Sequence, residues 1–174
     1  MSGAPVALSK LNLADREGFV SVCGPLFEHS PWVAHRTWER RPFGTLSALH
    51  SQLVATVEMA DAEEKIGLIR AHPDLVGRLA ASGGLTDASA REQAAAGLDS
   101  LSAEEVGLFS TYNREYHDKF GFPFVICARE NRKEAILRAF PERLSQSKQQ
   151  EIATALAEIG KIAWLRLLDA VTEA

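Results

Sequence analysis

The sequence predicts an all-α fold, a single-domain compact helical bundle with one short extended segment. Three observations predict it. Apolar residues recur at helical spacing along most of the chain, two helix starts carry capping signatures, and only one stretch, "FGFPFVICAREN", is rich in β-branched and aromatic residues. That stretch is too short and too isolated to form a sheet. We therefore expect it to lie extended against helices.

The helices of the N-terminal half are separated by proline and glycine. They run through "LADREGFVSVCGPLFE", closed by Gly24-Pro25, through "SPWVAHRTWERRPF", broken at Pro42-Phe43-Gly44, and through "TLSALHSQLVATVEMA". The next stretch, "DAEEKIGLIRA", opens with an acidic first turn, which favours a helix N-terminus. It ends at His72-Pro73, because proline disfavours a helical conformation in the residue before it. Asp74 is then a candidate cap for a short helix that ends at Gly83-Gly84.

The C-terminal half contains the two capping signatures. Ser102 and Glu105 fit a capping box, and Ser89 and Glu92 fit a second one. The last long helix is expected to run from about Ser147 to Val171. No internal repeat or linker-like stretch interrupts the chain.

Length and composition fit one domain. The chain has 174 residues, 46% of them hydrophobic, which is enough to bury a core without disulfides or a metal. We predict a single domain over residues 1–174, with residues 1–10 as a loose N-terminal segment. Cys23 and Cys127 form no close-spaced pair and are typical of reduced thiols in a cytoplasmic protein.

Charge and hydropathy argue against two classes of partner. The net charge is −4 and the basic residues do not cluster, which argues against nucleic acid. No apolar run is long enough to cross a bilayer, and the N-terminal apolar run is too short for a signal peptide. We therefore expect neither nucleic-acid nor membrane binding.

Arg166 falls on an apolar stripe of the last helix. On a helical wheel at about 100° per residue, the stripe consists of Ile152, Leu156, Ile159, Ala163 and Ala170. A charge on a core-facing stripe is costly unless it is paired. Two interpretations stay open. The guanidinium either snorkels or meets an internal carboxylate, or it anchors an anion at the floor of a pocket, a task that suits its planar fork of donors.

Two further groups of polar residues carry open alternatives. His72 is either a surface loop histidine or an acid/base group, since an imidazole titrates near neutral pH. A capping box explains Ser89 and Glu92 but not Gln93, and polar groups at a helix N-terminus can also converge on a ligand. The sequence has no metal-ligand spacing, no phosphate- or dinucleotide-binding motif and no nucleophile elbow. We therefore expect no metal site.

Four blocks in order resemble the OHCU decarboxylase family, the decarboxylases of 2-oxo-4-hydroxy-4-carboxy-5-ureidoimidazoline. The blocks are "AHPDLVG", "SAREQAAAGL", "FSTYNREYHDKFGFPFVICARENRKEAIL" and "EIGKIAWLRL", and the N-terminal "FEHSPWVAHRTWERRPF" is similar too. The resemblance extends roughly from Leu11 to Val171. It implies an all-helical, cofactor-free, cytoplasmic and homodimeric enzyme of urate breakdown, which turns a ureidoimidazoline into (S)-allantoin with loss of CO2.

The resemblance also implies roles for individual residues. His72 and Glu92 match the family's catalytic residues. The matching substrate-binding positions are Pro73, Ser89, Gln93, Phe124, Val125, Ile126, Cys127, Ala128 and Arg166. Two alternatives compete with this interpretation. One is a non-catalytic helical module that binds a partner protein, and the other is a cofactor-free lyase or hydrolase acting on a related ureido acid.

Overall fold

The computed structural model describes residues 4–173, with the side chain of Leu79 left out. The described chain forms ten α-helices, three short 3-10 helices and one two-stranded parallel sheet, which confirms the predicted all-α class. It divides into two compact units. One contains the residues up to Ala71 together with those from Gly160 onward, and the other is His72–Ile159. No helix within residues 4–173 has the length and apolar character needed to cross a membrane.

The first unit combines the N-terminal helices with the end of the chain. Its elements are β1 (Val6–Ala7), α1 (Leu8–Leu13), α2 (Arg16–Cys23), α3 (Trp32–Thr37), α4 (Leu46–Glu58) and α5 (Ala62–Arg70), with 3-10 turns at Gly24–Leu26 and Trp38–Arg40. A second strand, Val171–Thr172, pairs in parallel with β1, with Val6 opposite Val171. The expectation of a loose N-terminal segment is therefore wrong for residues 6–10. Residues 1–3 lie outside the described residues.

The first predicted helix is interrupted near its start. The chain leaves α1 at Ala14, and Asp15 then caps α2 by accepting a hydrogen bond of 2.8 Å from the Gly18 N–H. The acidic start predicted for α5 is a full capping box between Asp61 and Glu64. As predicted, α5 ends just before the His-Pro break.

The second unit contains the helices that follow this break. They are α6 (Arg78–Ser82), α7 (Asp87–Ala95), α8 (Ala103–Phe120), α9 (Lys133–Leu144) and the first part of α10 (Lys148–Ala170), with a 3-10 turn at Ala128–Glu130. The capping box predicted for α8 is confirmed. The Ser102 Oγ accepts from the Glu105 N–H at 3.1 Å, and the Glu105 carboxylate accepts from the Ser102 N–H at 2.8 Å. Residues 123–127, just before the 3-10 turn, belong to no helix or strand, and the backbone of Cys127 is extended, in agreement with the predicted extended segment.

The capping box predicted at Ser89 and Glu92 is wrong. α7 begins at Asp87, and its N-cap is Thr86, whose hydroxyl accepts a 3.3 Å hydrogen bond from the Ser89 N–H. Ser89 therefore lies inside the first turn, where it is buried together with Gln93. The helix starts three residues earlier than predicted because threonine is also a good N-cap residue.

Aromatic side chains form the core of the second unit. Phe124 stacks on Phe140 with 3.9 Å between ring centroids, and Tyr116 meets Phe122 and Phe124 edge to face. All four rings are almost completely buried, and such pairs add to the free energy gained from burial. The phenylalanine side chains near the extended segment therefore serve the core, which leaves its backbone as the part suited to contact a ligand.

Both cysteines are free thiols, as the sequence predicts, and the structure shows that both are buried. Burial raises the pKa of Cys23 to about 12 and that of Cys127 to about 11, where the Glu130 charge adds to the effect of burial. Because the thiolate is the reactive form, we expect the folded protein to resist iodoacetamide at pH 8. Mass spectrometry should show both thiols alkylated only after unfolding in guanidinium chloride. Fast alkylation of the folded protein would contradict this burial.

Candidate active site

The second unit contains all but one of the predicted site residues. His72-Pro73 follows α5, α7 carries the predicted serine, glutamate and glutamine, and Phe124–Ala128 begins in the extended segment and ends at the first residue of the 3-10 turn. Arg166 lies on the part of α10 that belongs to the first unit.

His72 begins a loop that α7 holds in place. The histidine is only 7% exposed, so it is not the surface loop residue that the sequence left possible. The Gln93 amide bridges this loop: its Oε1 accepts a 3.1 Å hydrogen bond from the Val76 N–H, and its Nε2 donates to the Asp74 carbonyl at 3.4 Å. The position of Gln93 on α7 therefore fixes the backbone that follows His72.

The same loop contains a strained residue. Val76 has a φ of 56°, in the left-handed region where a β-branched residue is an outlier. Such strain persists only where the surroundings hold it. Here Gln93 binds the Val76 N–H, and the Asn113 Nδ2 donates to the preceding carbonyl at 2.8 Å. Gln93 thus has a structural role at the loop, in addition to the binding role that the resemblance implies.

Asp74 is a second titratable group in this loop. It does not cap α6, because that helix begins four residues later, at Arg78. Its Oδ1 is buried without a hydrogen-bond partner among the described residues. Burial raises the pKa of the Asp74 carboxyl, and the nearby His117 partly offsets this effect. The sequence predicts Asp74 only as a helix cap, although this residue stands in the same "AHPDLVG" block as His72.

The loop needs glycine at position 77, because the backbone there passes close to Asp74. A Cβ added at Gly77 would lie 2.7 Å from the Asp74 Cβ, so we expect Gly77→Ala to destabilise the protein by about 1–3 kcal/mol, the usual cost of overpacking. The matched control is Gly107→Ala on α8, where an added Cβ meets nothing within 4 Å. That change should stabilise the protein by about 1 kcal/mol, since alanine favours helix. Urea unfolding measures both, and equal free energies of unfolding would rule out the clash.

The extended segment is fixed through alternate residues. The Val125 carbonyl accepts a 2.5 Å hydrogen bond from the Arg143 Nη1, and the Cys127 N–H donates to the Glu158 Oε2 at 2.8 Å. Between them, neither the N–H nor the C=O of Ile126 makes a hydrogen bond with the described residues. Ile126 is also the one residue of Phe124–Ala128 that is not fully buried. The backbone of Ile126 is therefore the part of this segment best placed to bind another molecule.

α7 also lies close to this segment. The helix packs against the 3-10 turn Ala128–Glu130. After burial and Glu130, the negative charges of Glu158 and Glu92 also help to raise the pKa of Cys127. Through α7, the second unit thus brings together the His72 loop, Glu92 and the extended segment.

Arg166 is buried on α10, as the helical wheel predicts, together with Ile159 and Ala163. Its Nη1 donates to the Glu28 Oε2 at 2.9 Å and to the Pro25 carbonyl at 3.2 Å. The interpretation in which Arg166 meets an internal carboxylate is therefore confirmed, and the anchor role stays a prediction. The sequence pattern does not identify Glu28 as the partner, although Glu28 lies within the N-terminal block "FEHSPW".

Over residues 4–173, the structure contains no group of three or more His, Cys, Asp or Glu side chains arranged to hold a metal ion. The polar groups of the second unit are instead an imidazole, carboxylates, an amide and an extended backbone. These groups can exchange protons with a small polar molecule and form hydrogen bonds to it.

Known proteins resemble this chain over nearly its whole length. The family model described as OHCU decarboxylase matches residues 12–168. The 2-oxo-4-hydroxy-4-carboxy-5-ureidoimidazoline decarboxylase of Haloferax volcanii is 42% identical over 164 residues, which cover 94% of this chain and 95% of that protein. The protein of the same name from Halalkalicoccus jeotgali is 41% identical, covering 93% of this chain and 90% of that protein.

A solved structure agrees with these relatives. The crystal structure of (S)-allantoin synthase superposes with a TM-score of 0.77 at 29% identity, covering 97% of this chain and 54% of that one. Sequence and fold therefore lead to the same conclusion, and this chain belongs to the OHCU decarboxylase family.

Proposed function

We propose that this protein decarboxylates 2-oxo-4-hydroxy-4-carboxy-5-ureidoimidazoline to (S)-allantoin. The observation that carries this proposal is the family match over residues 12–168, together with relatives of that name that align over nine-tenths or more of both chains. The enzyme is a carboxy-lyase, which breaks a carbon–carbon bond and releases CO2.

The substrate can supply its own electron acceptor. When the bond from ring carbon C4 to the carboxylate breaks, CO2 leaves and its electron pair forms a double bond between C4 and C5. The electrons of the neighbouring C=N bond move onto the ring nitrogen, which takes up a proton. Carbon C5, which bears the ureido group, then gains a proton, while the C4 hydroxyl loses its proton and becomes a carbonyl. Because the ring takes up the electron pair that a cofactor often accepts in decarboxylations, we propose that no cofactor is needed.

We assign the proton transfers to His72, assisted by Glu92. An imidazole can donate or accept a proton near neutral pH, and the burial of His72 limits competition from water. The Glu92 carboxylate can accept hydrogen bonds from the ureido and ring N–H groups. The packing of its helix, α7, against the 3-10 turn that follows the extended segment supports this role. Delivery of the proton to one face of C5 would set the handedness of the product.

The proposed binding roles follow from the chemistry of each group. Arg166 would attract the anionic part of the substrate with its fork of donors. The peptides of Phe124, Val125, Ile126, Cys127 and Ala128 would hydrogen-bond the ring edge, and Ile126 has the best access to do so. Pro73, Ser89 and Gln93 complete the proposed binding residues, Gln93 partly by holding the His72 loop.

A homodimer is also proposed. On α10, Leu168 is 44% exposed, and Trp164 and Leu165 on the same side of the helix are only half-buried. Apolar side chains exposed in this way are typical of contact surfaces. A cytoplasmic location stays a prediction.

Circular dichroism tests the proposed activity. Uricase oxidises urate, and a hydrolase then converts the oxidised product. The optical signal of (S)-allantoin is followed with and without this protein. We expect the protein to speed the appearance of (S)-allantoin above the slow spontaneous reaction, which gives a racemic product. An unchanged rate and handedness would contradict the decarboxylase, and turnover of related ureido compounds instead would favour another lyase or hydrolase.

A further inference from the structure

We propose that Arg143 and Glu158 are positioning residues, which fix the extended segment so that the Ile126 peptide meets the substrate. This inference rests on the proposed function, because it concerns how the same site binds its substrate. Neither residue was among the site residues predicted from the sequence. The segment itself, Phe124–Ala128, was predicted only as a binding element.

Arg143 is held by a buried ion pair. Its Nη2 and its Nε each lie 2.9 Å from the Glu151 Oε2. The Arg143 side chain is 7% exposed and that of Glu151 is completely buried. The Tyr116 hydroxyl donates a further hydrogen bond to Glu151. Apolar residues in place of a buried ion pair often give a core that is at least as stable. Stability alone therefore does not explain why Arg143 and Glu151 are paired here.

We explain the pair by the contacts that the Arg143 guanidinium also makes with the extended segment. Its Nη1 donates to the Val125 carbonyl, and its Cζ lies 4.3 Å from the centre of the Phe124 ring. One planar group thus joins Glu151 on α10 to two successive residues of the segment. Lysine has a single compact ammonium on a flexible stem and cannot reproduce all of these contacts at once.

Glu158 and Asn131 bind Cys127, two residues after Val125. The Glu158 Oε2 accepts from the Cys127 N–H at 2.8 Å, and the Asn131 Nδ2 donates to the Cys127 carbonyl at 3.0 Å. Within a planar trans peptide, the C=O of one residue and the N–H of the next point in opposite directions. The N–H and C=O of Ile126 therefore point away from Arg143 and Glu158, which bind the neighbouring residues. A shift of either side chain would shift the backbone of Ile126.

Variants at Glu158 test the inference with little risk to folding, because Glu158 is only partly buried. Glu158→Ala removes the acceptor for the Cys127 N–H, and we expect KM to rise about ten-fold, the effect of losing one hydrogen bond to a charged group. Glu158→Gln keeps an acceptor oxygen and should stay within about two-fold of the unmodified enzyme. Arg143→Lys should lower kcat/KM by about 10- to 100-fold through misplacement of the segment.

A matched control separates positioning from stability. Ile136 is a completely buried apolar residue of α9, the helix that carries Arg143. We expect Ile136→Val to lower the free energy of unfolding but to leave kcat and KM unchanged at temperatures where the protein is folded. A rise in KM for this variant equal to that of Glu158→Ala would overturn the inference.

Hydrogen exchange of the Cys127 amide, which donates to Glu158, gives a readout without substrate that does not depend on activity. Faster exchange and a higher KM in Glu158→Ala, both restored in Glu158→Gln, would support the positioning role. Unchanged exchange, or faster exchange with an unchanged KM, would overturn it. If the unmodified protein is inactive, the proposed function is wrong. Hydrogen exchange alone would then decide whether Glu158 holds the segment in place.

Discussion

His72→Asn is expected to lower kcat/KM for the decarboxylation by about 10²- to 10⁴-fold, the usual contribution of a general acid/base group. Asparagine is polar and similar in size, so it can form hydrogen bonds in a buried position. It cannot gain or lose a proton near neutral pH. The variant therefore removes the proton transfer with little change to the loop, whose backbone is held by Gln93 and Asn113.

Two measurements make this result interpretable. Circular dichroism follows the formation of (S)-allantoin, and thermal unfolding shows whether the variant is folded. The matched control is His35→Asn on α3, an exposed histidine, which should retain full activity. If His72→Asn folds normally and keeps full activity, His72 has no part in the mechanism.

The helices could largely be predicted from the sequence because their signals are local. The capping box of Ser102 and Glu105 and the apolar spacing of α10 each depend on residues within a few turns. The error at α7 shows the limit of such signals. Thr86 and Ser89 are both good N-cap residues three positions apart, and the helix begins at the one that leaves Ser89 and Gln93 buried.

The contacts of the site could not be predicted in the same way. The resemblance assigned positions, but the partner of Arg166 is Glu28, 138 residues away, and no local pattern joins two such distant residues. The strain at Val76 opposes local propensity, since a left-handed φ would be expected at the adjacent Gly77 rather than at a β-branched residue. Both features arise from tertiary contacts, which the sequence pattern does not contain.

Arg166→Met is expected to destabilise the protein by about 3–5 kcal/mol, the usual cost of breaking a buried ion pair. The change removes the guanidinium that lies 2.9 Å from the Glu28 carboxylate, and Glu28 is only 3% exposed. Urea unfolding measures the loss. The matched control is Arg16→Met, which breaks a pair with Glu39 whose side chains are 40% and 67% exposed. That loss should be below about 1 kcal/mol, and equal losses at the two sites would contradict the buried pair.

The double variant Arg166→Met/Glu28→Leu separates the structural role of Arg166 from its proposed binding role. Replacing both charges by apolar side chains of similar size is often neutral for stability, so we expect much of the lost free energy of unfolding to return. Activity should not return, because an anionic substrate would still lack its proposed anchor. KM should therefore stay about ten-fold or more above that of the unmodified enzyme, the loss expected for one charge-assisted hydrogen bond. If the restored fold also restores KM, Arg166 acts only through its pair with Glu28.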